Sequence, residues 1–147
     1  MARQLSPLTR SEQDRRELIV WAVACAERLL PLFETVCPDD HRPRDGLEGA
    51  MAFARGELRI GLARGLAAAC HAAARAAPTP AAVAAARACG HATAVAHMAS
   101  HARGLPYYGL KAVALAYPDD PGAVEREDAW QRAHVPERFA EYVYPEG

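Results

Sequence analysis

Three histidines, His91, His97 and His101, crowd one stretch of the chain. On a continuous helix His97 and His101 are four residues and about 40° apart, the spacing with which two imidazoles ligate zinc or iron. A complete centre needs further ligands, and no HExxH or ExxH pattern supplies them. Ala86, Gly90, Thr93, Ala94 and Gly104 share that face, so a close helix contact is the preferred reading. His97 and His101 stay as the residues a metal would use, and no metal or other cofactor is assigned. His91 lies about 80° beyond His101.

The other reactive side chains are scattered. Cys25, Cys37, Cys70 and Cys89 form no CxxC pair, and three of them sit in apolar helical surroundings, as small core residues do. Cys70 directly precedes His71, and adjacent helix residues do not face each other. Lys111 follows Leu105-Pro-Tyr-Tyr-Gly-Leu, a low-polarity setting. Desolvated there it would be a base or an amine nucleophile, but a stem laid on apolar surface with the ammonium in water is preferred. There is no GxSxG and no glycine-rich phosphate loop. No catalytic residue is assigned, and the chain is read as a binding protein rather than an enzyme.

The elements that position these residues read as helices throughout. Thr9-x-x-Glu12 has the form of a capping box, followed by Leu18, Trp21, Ala22, Cys25, Leu29, Leu32 and Phe33 at spacings of three and four. Pro31 should kink that helix or start a new one. Pro43 opens a second helix with Leu47, Ala50, Met51, Ala54 and Leu58 inward. A third runs to about Ala77 with Leu62, Leu66, Ala69 and Ala73 inward, and His71 then shares the opposite side with Arg64 and Arg75. Pro78-Thr79-Pro80 is a linker in which Thr79 caps a long fourth helix reaching Arg103. A fifth covers Tyr107–Ala116. After Pro118-Asp-Asp-Pro-Gly come a helix at Ala123–Ala133 and a short one anchored by Phe139, Tyr142 and Val143. The expectation is a single all-α domain over residues 1–147, a bundle of six or seven helices with its core at about 9–117 and an acidic helical tail at 119–147.

Composition agrees with helix. Alanine makes up about a quarter of the residues and aromatics only 7%, so close approach of many small side chains must supply the core. Lys111 is the only lysine among 17 basic residues, a bias that points to a GC-rich bacterial genome. No stretch is apolar enough to span a membrane, and the polar N-terminus is no signal peptide, so a cytoplasmic chain is expected. The net charge of −1 gives no footprint for nucleic acid. That total hides a segregation. No acid occurs between Glu57 and Asp119, where Arg59, Arg64, Arg75, Arg87, Arg103 and Lys111 stand. The tail from Asp119 onward carries eight acids against three arginines. The tail is expected to fold back over a basic surface, unless one of the two patches docks a charged partner.

From about Thr9 to Val113 the chain resembles a family of small bacterial immunity proteins of polymorphic-toxin systems. The resemblance is carried by Ala22–Ala26 with Glu27-Arg28, by Leu30-Pro31-Leu32-Phe33-Glu34, Arg42-Pro43-Arg44 and Ala54-Arg55-Gly56-Glu57, and by Gly61 with Ala63-Arg64. Gly90-His91, Ala96-His97, Tyr107-Tyr108 and Leu110-Lys111-Ala112-Val113 extend it. Phe53 stands where tryptophan is expected and Leu62 where glutamate is. The resemblance implies a protein that binds a co-encoded toxin and neutralises it by surface contact, with no chemistry of its own. Candidate partner-binding residues are Arg64, His71 and Arg75 for an acidic toxin, and Asp119, Asp120, Glu125, Glu127 and Asp128 for a basic one. The alternatives are a helical scaffold or homodimer, and a small metal-binding protein built on His97 and His101.

Overall fold

The computed structural model describes residues 5–146 and contains seven α-helices and one 3₁₀ turn, with no strand among the described residues. Residues 1–4 of the polar N-terminus and the last residue of the tail lie outside the described residues. The helices are α1 (Glu12–Glu34), α2 (Arg42–Ala54), α3 (Ile60–Ala76), α4 (Pro80–Ala94), α5 (Gly104–Ala116), α6 (Ala123–His134) and α7 (Glu137–Val143). The 3₁₀ turn spans Ala99–Arg103. No helix is long and apolar enough to cross a membrane.

Helix α4 is the hub, packed against α1, α2, α3 and α5. Ala82, Ala84, Ala85, Ala86, Ala88, Ala92 and Ala94 are all buried along it. Side chains of one carbon let four neighbours approach its backbone together, which is how an alanine-rich helix earns a central place. Helix α1 supplies the bulk that α4 lacks: Leu18, Ile19, Trp21, Leu29 and Phe33 are buried. Cys25, Cys70 and Cys89 are buried too, as expected of small core residues.

Several boundaries differ from the sequence reading. Helix α1 is capped by Ser11, whose Oγ accepts from the Asp14 amide at 3.1 Å, rather than by Thr9. Thr9 lies in a turn closed on Ser6, and Arg10 follows with a positive φ of 57°, so the helix cannot start until that turn is complete. Helix α1 runs through Pro31 to Glu34 as one element. Thr79 and Pro80 do start α4, with Thr79 Oγ1 accepting from the Ala82 amide. That helix stops at Ala94, not at Arg103. Leu62 is 61% exposed rather than inward, because the buried stripe of α3 is Ala63, Ala67, Cys70, Ala73 and Ala74.

The tail reaches only one end of the basic middle of the chain, where Arg103 Nε donates to the Tyr142 carbonyl at 2.9 Å. It packs along α5 and reaches α1, where Arg28 pairs with Glu127 at 3.0 Å and Arg138 bonds Asp14 and Glu17. The indole N–H of Trp21 donates to the Gln131 carbonyl at 3.0 Å, and Phe139 is fully buried. The tail is thus part of the core.

Candidate functional site

The end of α4 decides where the histidines go. Residues Val95–Met98 form a turn, and a buried arginine on α1 clamps it: Arg15 Nε donates to the Ala96 carbonyl at 2.9 Å, while its Nη1 donates to the Arg10 carbonyl at 2.7 Å. The chain then enters the 3₁₀ turn, where the amides of Ala99 and Ser100 donate to the carbonyls of Thr9 and Leu8. His97 and His101 are therefore not on one α-helix. They still meet, with ring centroids 5.1 Å apart.

The structure extends that pair into a row of four. His101 and His91 approach Nδ1 to Nδ1 at 3.2 Å, one donating its proton to the other's lone pair. His91 meets His71 of α3 edge to face at 5.4 Å and stacks on Tyr108 of α5 at 5.0 Å. At its far end His71 is held by Arg87, whose Nη1 lies 2.8 Å from Nδ1, so that nitrogen accepts and carries no proton. Two glycines make room for the row. A Cβ on Gly90 would stand 2.7 Å from the His71 ring, and one on Gly104 would stand 2.5 Å from that of His91.

The row is electrostatically unfavourable to protons. Burial and the neighbouring cations hold His91 and His97 down at about 4, and His71 and His101 are lowered as well. Besides its neighbours in the row, His97 feels Arg64 and Arg15, and His71 feels Arg87 and Arg75. No ion pair with a carboxylate is made by Arg64, Arg75, Arg87 or Lys111 among the described residues. Arg64, Arg75 and Lys111 are exposed, and His71 is half-buried rather than on a solvated face. The Lys111 ammonium lies 5.9 Å from the Tyr107 ring centroid, on the outside of the bundle as a snorkelling lysine would be.

The acidic candidates have a different fate. Glu127 is buried and bonded to Arg28; Asp120 pairs with Arg126, and Asp128 with Arg132 at 3.1 Å. Only Asp119 and Glu125 among the five stand exposed without an ion pair. Three of the four thiols are buried and poor nucleophiles: burial raises Cys25 and Cys89, and takes Cys70 to about 12. No group of three or more His, Cys, Asp or Glu among the described residues is arranged to hold a metal ion.

Comparison with known proteins decides the family. The model of the Imm-5 like putative immunity protein matches residues 8–138. The chain belongs to that family. No curated protein matches the chain, and no solved structure does. The match to this immunity family covers the whole row of imidazoles and runs on through α6 into α7, beyond the Val113 limit of the sequence resemblance.

The sequence reading placed His97 and His101 on one continuous helix with His91 turned away; the structure breaks that helix, yet brings all three together with His71 and Arg87. The signal that was available is the pair of glycines, Gly90 and Gly104. Gly90 stands inside α4 and Gly104 between the 3₁₀ turn and α5, and each is the seat of an imidazole ring from elsewhere in the chain.

Proposed function

We propose that this chain is an immunity protein that binds a co-encoded bacterial toxin and neutralises it by protein–protein contact. The family match over residues 8–138 carries the reading. The geometry is compatible with it: contact needs a rigid, charged surface, and the bundle presents helices locked on a common hub α4. Binding by contact requires no catalytic group of this chain.

The test is co-expression with the product of the adjacent reading frame. Growth should be restored in cells that the neighbouring protein alone arrests, and the two chains should co-purify. Continued toxicity with no complex would overturn the reading. A chain that is found only as a homodimer would favour the scaffold alternative instead.

A further inference from the structure

The acids and bases of this chain are segregated in sequence, and the fold does not reunite them. Three of the tail's eight carboxylates, Glu127, Asp120 and Asp128, pair with Arg28, Arg126 and Arg132. Arg64 and Arg75 on α3, Arg87 on α4 and Lys111 on α5 pair with no carboxylate among the described residues. Among them lies the row His71–His91–His101–His97, on which the neighbouring charges are arginines and other histidines among the described residues. Beside the row, Arg87, Tyr108 and Lys111 wall a hollow of about 300 Å³ floored by Val83 and Ala84. Tyr107 and Leu115 are exposed at 64% and 42% on the same helix as Lys111.

A cluster of cations and stacked imidazoles without counter-charge is a costly arrangement for an isolated protein and a complementary one for an anionic partner. We infer that the α3–α4–α5 face, centred on His71, His91 and Arg87 and flanked by Arg64, Arg75 and Lys111, docks the acidic surface of a protein partner. Carboxylates of that partner supply the missing counter-charges, and an apolar side chain between them fills the hollow beside Tyr108. A protein surface is favoured over nucleic acid because the chain is net negative and the cations form a compact island rather than a long stripe. The inference rests on the immunity reading for the identity of that partner, not for the chemistry of the face.

Docking a carboxylate raises the proton affinity of the imidazoles it meets, so binding takes up protons. The groups that set this response are His71, Arg64 and Arg75 from α3, Arg87 and His91 from α4, His97 and His101 after it, Tyr108 from α5 and Arg15 from α1. Affinity for an acidic partner should rise as the pH is lowered from about 6.5 toward about 5.

Two experiments separate this inference from the immunity reading. In the first, poly-L-glutamate is titrated into the intact chain while the imidazole resonances are followed by NMR. The signals of His71, His91 and His101 should move, more strongly at about pH 5.5 than at about pH 7.5, and poly-L-lysine should leave them in place. Shifts confined to other residues would overturn the assignment, as would tighter binding of an oligothymidylate of equal charge. In the second, R64E, R75E and K111E are combined; all three side chains are exposed, and circular dichroism confirms folding. Affinity for the toxin should fall about a hundredfold. A toxin bound as tightly by the triple variant would sink the docking face while leaving the immunity reading intact. A toxin that never binds the parent, with the poly-L-glutamate map still in place, would do the reverse.

Discussion

Gly104 stands at the start of α5 with an ordinary helical φ of −68°, so its lack of a side chain is about space rather than backbone freedom. The root of the His91 side chain occupies the place where a Cβ would sit, with Cγ at 2.5 Å and Cβ at 2.8 Å. Gly104→Ala must push His91 off Tyr108, and a cost of about 1–3 kcal/mol is expected in urea denaturation. The imidazoles themselves predict a pH dependence. His91 and His97 titrate at about 4 in the folded chain against 6.5 for an ordinary imidazole, so the unfolded chain takes up protons first as the pH falls. Their contribution is whole above about 6.5 and is lost progressively toward about 4. The carboxylates of Asp14, Glu17, Glu34 and Asp40, lowered by arginine partners, begin to cost stability only below about 4.5. The urea midpoint should therefore already drop between pH 6.5 and 5, and the double variant His91→Gln/His97→Gln should flatten that part of the curve. An unchanged slope in the double variant would contradict the assignment.

Among the elements, α4 and the turn after it show where sequence reading succeeds and where it fails. Thr79-Pro80 marks the start of α4 because a hydroxyl acceptor and a fixed φ are local devices, legible without knowing the neighbours. The end at Ala94 has no local device: Val95 to Ala102 holds neither glycine nor proline, and alanine favours continuing the helix. What stops it is tertiary, the buried guanidinium of Arg15 on the Ala96 carbonyl, 81 residues away in sequence. For the same reason Leu62 reads as inward beside its apolar neighbours, although the stripe of α3 that meets α4 is alanine and cysteine. Arg15→Met keeps the stem and removes both charge-assisted bonds. It should cost about 1.5–3 kcal/mol in urea denaturation and speed amide exchange at Ala99 and Ser100.

For the whole molecule, fold class and helix count follow from composition and breakers, because an alanine-rich chain punctuated by proline has little else to become. Charge segregation was legible too, but its meaning was not. Arg28 and Glu127 are 99 residues apart, and only the fold shows that Glu127 is paired with α1 while Asp120 and Asp128 are paired with the tail's own arginines. The site was legible as a list of residue types and not as a row, since His71 lies on α3, His91 on α4 and His101 after it. The tail, set apart in sequence by its acidity, is structurally inseparable. Deleting residues 118–147 removes Phe139 and Val143 from the core and uncovers Trp21. The truncated chain should lose its cooperative thermal transition and aggregate, whereas an independent tail would leave the melting curve of the remainder intact.

Both tryptophans of the chain belong to the seam between the tail and α1. Trp21 is buried on α1, bonded to Gln131 and set edge-on to Tyr144, while Trp130 on α6 lies between the guanidinium of Arg28 and the ring of His134. There is no third indole, and none on α3, α4 or α5. Intrinsic fluorescence is therefore a selective reporter in this molecule: red-shifted emission marks the tail leaving α1, with no label attached. A partner seated on the cationic α3–α4–α5 face meets no indole on those helices, so a change in emission that it causes reports a disturbance carried to the seam of α1 and the tail.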